Sequence, residues 1–336
     1  MNIHIIRKTE ELDALKNDWE DLWERSSTTP FQTPAWLLSW WKTLGSGDLL
    51  SIAVYSENRL LALAPLYIES RSGDRNLLFL GTGHSDYLGF LIDESEKEIL
   101  QALIFKEILK KKAHWDHCVL QEMREPISYP QDASVSVKKE LQSYCPVIAR
   151  SDLIPTLFKK ADHSIRRLEK NGKVSIKEST LETLGSDLQD FFDLHAKRWS
   201  EKQMPGALAE ADVQSFHRLA SRELMHMGLL RLYRILVGEQ LLAIHYGFSH
   251  KGRAYLYLCG FNPQFSKYSP GVILVSCVIR ESLKEGLHEI DFLRGQESYK
   301  YLWGAKDTQT YCMKIEWSKT RHLEPQTRHL ERSREV

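Results

Sequence analysis

The chain has 336 residues, of which 42% are hydrophobic and 27% charged, and this composition excludes disordered, collagen-like, coiled-coil and small disulfide-rich proteins. At about 150 residues per domain, the length predicts about two domains. Basic and acidic residues balance at 45 each, so the overall charge does not suggest a nucleic-acid-binding protein.

The charge is divided unevenly between the two halves of the chain. Residues 1–150 contain 17 basic and 22 acidic residues, whereas residues 151–336 contain 28 and 23. A basic second half fits a phosphate-bearing ligand held there, although so small an excess fits chance nearly as well.

No targeting or membrane signal is evident. The apolar run after Met1 is too short for a signal peptide, and the longest uncharged run, 26–41, is shorter than the ~20 apolar residues of a membrane helix. We therefore expect a soluble, cytoplasmic protein.

The five cysteines are scattered without a C-x-x-C motif, and His114 and His117 would lie on opposite faces of a strand. Buried reduced thiols and no metal site are expected.

In the first half, hydrophobic periodicity predicts a strand at 3–7 and then a helix from Thr9 to about residue 25, with acids in its first turn. Thr33 and Pro34 mark the cap and first residue of a second helix. The glycine-rich segment 81–87 is predicted to be a loop. Around it we expect strands at 49–56, 60–69, 77–80, 88–92 and 117–121, and a helix at 94–112.

The second half repeats this order of elements. Helices are predicted at about 160–171, 183–202, 210–227 and 270–285, and strands at 229–237, 241–249, 254–260, 289–293 and 309–317. Leu60-Leu-Ala-Leu-Ala resembles Leu241-Leu-Ala-Ile-His at an offset of 181 residues, which favours a duplicated α/β domain. We expect domains at 1–150 and 151–320, followed by a charged tail at 321–336.

The strongest physical signal is the loop and helix after the strand that ends at Gly260. Ser269 has the position of an N-cap and Pro270 that of the first helical residue, while Gly271 would let a ligand approach the backbone. Free amides at residues 271–273 and the helix dipole would favour an anion such as phosphate. An ordinary capped helix is the alternative interpretation.

The strand after this helix places an acid among apolar residues. Alternation puts Ile290 and Phe292 on one face and Asp291 with Leu293 on the other. A buried carboxylate is costly unless it is paired, so Asp291 is a candidate for a perturbed functional group or for a structural ion pair. Its candidate partners are Arg294, Lys300 and His245.

At these residues the chain resembles the CelD-like branch of the GNAT acyltransferase superfamily, which is similar to the FemAB peptidyltransferases with tandem GNAT-like domains. Two blocks carry the resemblance, Tyr268-Ser-Pro-Gly-Val-Ile-Leu and Ile290-Asp-Phe-Leu-Arg-Gly-Gln-Glu-Ser-Tyr-Lys. Looser landmarks extend it over nearly the whole chain: Phe31-Gln-Thr-Pro-Ala-Trp, Ala64-Pro-Leu, Phe79-Leu-Gly, Asp86-Tyr, Ile165-Arg-Arg-Leu-Glu-Lys-Asn-Gly and Leu194-His-Ala-Lys-Arg-Trp. The resemblance implies an α/β (α+β) fold with two tandem GNAT-like domains, each a mixed, mainly antiparallel sheet flanked by helices.

The resemblance also implies acyl transfer from acetyl-CoA or another acyl-CoA to an amine or hydroxyl, without a metal. The loop before the central helix would bind the donor pyrophosphate, which assigns to it Lys267, Tyr268, Ser269, Pro270, Gly271 and Val272. The common GNAT loop is Gln/Arg-x-x-Gly-x-Gly/Ala, whereas this loop has one glycine, preceded by a proline that lacks an amide. Aminoacyl-tRNA, the donor of the FemAB proteins, is therefore an alternative donor.

Acyl transfer needs a base for the acceptor, a hydrogen-bond donor to the oxyanion and an acid for the leaving thiolate. The candidate bases are Asp291 and His245, the candidate oxyanion donor is an amide near Cys259 and Gly260, and the candidate acid is Tyr299 or Tyr301. Arg294 and Lys300 could hold an anionic acceptor. For each of these residues a purely structural role is the alternative.

The remaining candidates concern the acceptor and the basic surface. The loop with His84, Asp86 and Tyr87 is expected to reach an interdomain cleft, and an exposed Trp199 or Trp303 could stack on a glycan. A basic run is either a solvated helix face or a contact for CoA phosphate or RNA; it consists of Arg166, Arg167, Lys170 and Lys173. The expected acceptor is a small molecule, saccharide or cell-envelope precursor, with tRNA only in the FemAB-type alternative. A non-catalytic glycan- or partner-binding protein on the same scaffold is a third interpretation.

Overall fold

The computed structural model describes residues 1–200, 206 and 208–317, so the predicted tail 321–336 lies outside the described residues. The helices are α1 (Thr9–Ala14), α2 (Lys16–Arg25), α3 (Pro34–Leu44), α4 (Lys97–Lys110), α5 (Thr156–Leu168), α6 (Leu184–Ser200), α7 (Ala211–His226), α8 (Pro270–Lys284) and α9 (Ser298–Tyr301). The strands are β1 (Asn2–Ile6), β2 (Asp48–Leu49), β3 (Ser51–Ser56), β4 (Arg59–Ala64), β5 (Leu66–Arg71), β6 (Asp74–Phe79), β7 (Leu91–Ile92), β8 (His117–Met123), β9 (Val135–Ala149), β10 (Val174–Glu178), β11 (Leu230–Val237), β12 (Gln240–His250), β13 (Arg253–Phe261), β14 (Glu289–Asp291) and β15 (Lys306–Trp317).

The strands form two sheets. The smaller sheet has the order β1-β3-β4-β7, and the larger has eleven strands in the order β10-β11-β12-β13-β14-β9-β15-β8-β6-β5-β2. Most neighbours are antiparallel, but β13 pairs with β14 and β6 with β8 in parallel. The mixed, mainly antiparallel α/β architecture predicted from the sequence is therefore confirmed.

Pro65 divides one strand that the sequence predicted to be continuous. The segment 60–69 forms β4, which pairs with β3 in the smaller sheet, and β5, which pairs with β6 in the larger one. Proline has no amide for the ladder, so it interrupts the strand where the chain crosses from one sheet to the other.

The centre of the larger sheet joins the two halves of the chain. The long strand β9, which the sequence analysis did not predict, pairs with β14 on one side and with β15 on the other. The C-terminal strand β15 also pairs with β8 of the first half. Strands from early and late in the chain thus alternate in the middle of one sheet, and a domain boundary at residue 150 stays a prediction.

Each half contains the same succession of elements. Leu60 lies on β4 and Leu241 on β12, which are the second strands of the hairpins β3–β4 and β11–β12. A further strand, a helix and a parallel strand follow in both halves, namely β6, α4 and β8 in the first and β13, α8 and β14 in the second. The tandem arrangement expected from the internal sequence similarity is present.

The largest hydrophobic core is shared by both halves. Helix α3 of the first half packs against α7 of the second, where the rings of Trp36 and Phe216 lie 4.7 Å apart. Phe31 contacts Phe248 of β12 with ring centroids at 5.4 Å. Thr33 caps α3 as predicted, since its side chain accepts a hydrogen bond from the Trp36 amide.

Within the described part of the chain, no helix is long and apolar enough to span a bilayer.

Helix α6 packs directly on β13 at Gly260. A Cβ at this residue would lie 2.9 Å from Leu194 Cβ and 3.2 Å from the His195 amide nitrogen. The glycine is therefore required for close helix–sheet packing, because both neighbouring atoms belong to or adjoin the α6 backbone.

We expect Gly260→Ala to lower the free energy of unfolding by about 1–3 kcal/mol, because the added methyl group overpacks this contact. Gly271→Ala is the matched control: a Cβ there meets nothing within 4 Å, so this substitution should not lower stability. Urea unfolding of the three proteins measures the difference, and equal stability of the Gly260 variant would contradict the packing argument.

Candidate functional site

The candidate site lies where two parallel strands diverge. Arg253–Tyr255 of β13 pair with Glu289–Asp291 of β14, but beyond this point β14 ends while β13 continues to Phe261. Helix α8 covers the gap, which holds a cavity of about 120 Å³. Its lining consists of Asp86, His245, Leu256, Tyr257, Leu258, Cys259, Leu274, Val275, Val278, Phe292, Leu293, Arg294, Glu297, Tyr299 and Lys300.

A β-bulge on β13 borders this cavity. Tyr246 pairs with Leu258 and Phe248 with Tyr255, so Leu256 and Tyr257 together face Gly247 alone. A Cβ at Gly247 would lie 2.3 Å from the Tyr255 carbonyl oxygen and 2.4 Å from His245 Nε2, which explains the glycine. A bulge leaves backbone groups outside the ladder, so it supplies polar backbone atoms at the cavity wall.

Asp291 is fully buried at the end of β14, as alternation predicted, but it does not line the cavity. Its carboxylate accepts hydrogen bonds from the Tyr87 hydroxyl at 2.9 and 3.1 Å and from the Leu293 amide at 2.9 Å, and Arg253 lies 3.3 Å away. Burial raises the pKa of Asp291 to about 6, against the opposing charge of Arg253. These contacts bury the Asp291 carboxylate between the two halves, so it does not face a bound acceptor.

Arg294 is shared by two carboxylates of the first half. Its Nε donates to Asp86, and its Nη1 donates to Glu122 at 2.6 Å. Burial raises the pKa of Asp86 and that of Glu122, while the arginine acts in the opposite direction on both. Arg294 is thus already paired, and Asp86 is the residue of the first half that lines the cavity.

Lys300 fixes the turn that carries Arg294. Its side chain is 3% exposed, and its ammonium donates to the carbonyl oxygens of Leu293, Arg294 and Gly295 at 3.2, 2.8 and 2.9 Å. Leu293 has a φ of +58°, a strained conformation for leucine. The predicted acceptor contact by Lys300 does not fit this geometry, because its ammonium is already held by the three carbonyl oxygens and by the Glu297 carboxylate at 2.9 Å.

His245 and Tyr299 both line the cavity, as the sequence analysis expected of catalytic candidates. Burial lowers the pKa of His245 to about 3, so its imidazole is neutral and weakly basic near pH 7. Tyr299 is 45% exposed and packs edge-on against Phe292. Tyr301 instead donates its hydroxyl proton to Asp307 at 2.7 Å and does not line the cavity.

The loop with His84, Asp86 and Tyr87 reaches the second half, as predicted. The Tyr257 hydroxyl donates to the His84 carbonyl oxygen at 2.7 Å, and Trp40 Nε1 donates to His84 Nδ1 at 3.1 Å. Trp36 Nε1 donates to the Ser85 hydroxyl at 2.9 Å. Together with the bond from Tyr87 to Asp291, these contacts place Asp86 in the cavity lining.

The predicted phosphate loop differs from expectation at its cap. Ser269 precedes α8 with a φ of +55°, and its hydroxyl makes no capping hydrogen bond. The amides of Val272 and Ile273 donate to the Ser269 carbonyl oxygen at 3.0 and 3.3 Å, so they are not free as the sequence suggested. Among the described residues the Gly271 amide has no partner, and the space beside its Cα is open.

Basic side chains surround Tyr268 beside this loop. The Arg167 guanidinium lies 5.3 Å from the centre of the Tyr268 ring, and Lys267 Nζ lies 5.1 Å from it. Asn171 donates to the Tyr268 hydroxyl at 3.3 Å and, with the lysine, lowers its pKa. Part of the basic run on α5 is therefore next to the predicted phosphate loop.

The remaining predicted site residues differ in their relation to the cavity. Gly260 faces Ile244 in the ladder and packs on α6, and Cys259 beside it lines the cavity. Trp199 of α6 donates its Nε1 proton to His195 Nε2 at 2.9 Å. Trp303 is 1% exposed, so the expected stacking of a glycan on Trp303 is wrong.

Glu122 is a site residue that sequence reasoning missed. It follows Cys118 and Leu120 in the alternation of β8, and all three are buried. An acid in phase with an apolar face is the signal that singled out Asp291, and it applies equally here. Its carboxylate accepts hydrogen bonds from residues that are distant in sequence: Gln142 at 2.8 Å, Thr310 at 3.1 Å and Arg294.

Residues 158–301 match the acetyltransferase (GNAT) domain family. A search of curated protein sequences gave no significant match. Within the described residues, no group of three or more His, Cys, Asp or Glu side chains could hold a metal ion.

Solved structures with the same fold cover almost the whole chain. FemX aligns over 93% of this chain and 97% of its own, with a TM-score of 0.62 and 12% identity. L-PGS from Bacillus licheniformis aligns over 91% and 92%, with a TM-score of 0.55 and 12% identity. A tandem GNAT protein from the clavulanic acid biosynthesis pathway aligns over 94% and 98%, with a TM-score of 0.51 and 10% identity.

The raised pKa of Asp291 predicts a pH-dependent cost of burial. The contribution of this group to stability is present below its ordinary pKa near 4 and is lost as the pH rises through about 6, because the folded state then holds a buried charge. The unfolding free energy of Asp291→Asn relative to the wild type should therefore be higher at pH 7 than at pH 4.5. Urea unfolding at both pH values measures it, with the exposed Asp48→Asn as control; parallel pH dependences of wild type and Asp291→Asn would refute the assignment.

Proposed function

With residues 158–301 matching the GNAT acetyltransferase domain and the whole chain having the FemAB-like GNAT fold, we propose that this protein is a cytoplasmic acyltransferase that uses acyl-CoA. The observation that carries the proposal is the cavity between the diverging strands β13 and β14 beneath α8. The acceptor is an amine or hydroxyl of a small molecule, saccharide or cell-envelope precursor.

The donor side of the cavity suits a phosphorylated thioester. The free Gly271 amide and the positive end of the α8 dipole favour an anion at the helix start, and Arg167 and Lys267 add positive charge nearby. The apolar walls formed by Leu274, Val275 and Val278 suit the uncharged arm that leads to the thioester.

Because of the β-bulge, the oxyanion donor that we propose is a backbone amide of Leu256–Tyr257 rather than one near Cys259 and Gly260. Backbone groups outside the ladder polarise a carbonyl oxygen without reorganisation during the reaction. Gly260 is unsuited to this role because it faces β12 and packs on α6.

Asp86 is the proposed base. Asp86 lines the cavity, and burial raises its pKa, whereas Asp291 is enclosed and His245 is a weak base. The acceptor nitrogen or oxygen attacks the thioester carbon and transfers its proton to Asp86, and the C–S bond breaks. Tyr299, which also lines the cavity, is the proposed acid that protonates the departing thiolate.

A FemAB-type transfer from aminoacyl-tRNA is the second candidate. The TM-score of 0.62 with FemX favours it, and the single glycine of the phosphate loop removes part of the usual GNAT signature. The donor titration below separates the two, because CoA binding is expected only for the first. A non-catalytic binding protein is separated from both by turnover.

We expect acetyl-CoA and CoA to bind with micromolar affinity in calorimetric titrations, and Gly271→Glu to weaken both at least tenfold. The new carboxylate would occupy open space at the helix start and repel phosphate, so folding is preserved. Gly185→Glu is the matched control, because Gly185 also lies in the first turn of a helix with nothing within 4 Å of its Cβ. Absence of binding by both ligands would reject the CoA proposal and favour aminoacyl-tRNA.

For Asp86→Asn we expect turnover of acetyl-CoA with a responsive acceptor to fall by about 10²–10⁴-fold, as for loss of a general base. Acetyl-CoA affinity should stay within a factor of a few. Thiol release during a screen of amines and hydroxyl compounds measures the rate, and the exposed Asp74→Asn serves as control. Unchanged turnover in Asp86→Asn would exclude this residue as the base.

A further inference from the structure

A second cavity lies in the first half of the chain, outside the site described above. It encloses about 80 Å³ at the ends of β7 and β8 and the start of α4. The residues that matter here are Gln32, Leu88, Phe90, Gln101, Met123 and Arg124. None of them lines the cavity between β13 and β14.

This cavity occupies a position in the fold that commonly binds ligands. β6 and β8 run parallel, and beyond their paired residues Leu88 bridges to Met123 at the carboxyl end of β8. Ligands in α/β folds bind outside the carboxyl ends of parallel strands. The site is also connected to the proposed transfer site through the loop, since Asp86 lines one cavity and Leu88 the other.

Gln101 presents an unused donor to this cavity. Its side chain is buried, and its Oε1 accepts the Ser128 amide hydrogen at 2.9 Å, which fixes the orientation of the carboxamide. Its Nε2 then carries two protons that have no hydrogen-bond partner in the described part of the chain. Because Gln101 lines the cavity, an acceptor oxygen of a ligand there would give this donor a partner.

Arg124 adds a positive charge without a carboxylate partner among the described residues. Its guanidinium lies 5.7 Å from the centre of the Tyr87 ring, and it lines the same cavity as Gln101. Lys97 at the rim is different, because it pairs with Glu125 at 3.0 Å and with Glu94 at 3.6 Å. The available charge in this cavity is therefore a single guanidinium.

We propose that this cavity binds a small carboxylic acid, with Arg124 pairing with the carboxylate and Gln101 Nε2 donating to it. A guanidinium matches a planar carboxylate through two parallel N–H donors. One cation next to the rim acids Glu94 and Glu125 disfavours a phosphate dianion. Leu88, Phe90 and Met123 line the cavity and would cover a short carbon chain.

The test is calorimetric titration of the full chain with acetate, succinate and inorganic phosphate at constant ionic strength. We expect a carboxylate to bind, and Arg124→Ala and Gln101→Glu each to weaken it at least tenfold. Gln101→Glu keeps an oxygen for the Ser128 amide but replaces the donor with a charge that repels the ligand. Arg71→Ala, which removes an exposed arginine of β5, is the control and should bind like the wild type.

Several results would overturn the inference: no heat with either carboxylate, equal affinity in the Arg124 variant and the wild type, or tighter binding of phosphate than of carboxylates. Circular dichroism checks the fold of each variant. If Gln101→Glu does not fold, the carboxylate affinity of the surface variant Arg124→Ala alone tests the proposal. Acetyl-CoA binding should be unaffected by Arg124→Ala. The proposal therefore fails or stands independently of the acyl-CoA proposal.

Discussion

The burial of three carboxylates at the junction of the two halves is the constraint on which the rest of the structure depends. Asp86 and Glu122 come from the first half and Asp291 from the second, and each is almost completely buried. Charges in such positions are tolerated only when partners satisfy them, and here the partners are across the junction: Arg294 for the first two, Tyr87 for the third. Moving the halves apart would break these bonds between them.

This constraint explains why the site is built from both halves. Tyr87 anchors its loop on Asp291, and Lys300 fixes the turn from which Arg294 reaches Asp86. The hydrogen-bonded strands β14-β9-β15-β8 also connect the strand that carries Asp291 to the strand that carries Glu122. Asp86 is consequently presented to a cavity whose other walls come from residues 245–300. The first half thus contributes a functional group rather than only a supporting surface.

Local sequence patterns predicted the elements whose signals lie within a few residues. Thr33 and Pro34 gave the start of α3, and alternation gave the burial of Asp291. β9 was missed because most of its side chains are exposed or half-buried, so it lacks an apolar period and is held by backbone pairing with β14 and β15. The roles of Arg294 and Lys300 could not be predicted, since their partners depend on tertiary contacts and on the local turn at Leu293.

The most direct test of this account is a double-mutant cycle between Tyr87→Phe and Asp291→Asn, measured as free energies of unfolding in urea at pH 7. If the loop of the first half is held by this buried bond, the two substitutions should be coupled by about 1–3 kcal/mol. Effects that add to within about 0.3 kcal/mol would contradict the account, because the two residues would then act independently across the junction.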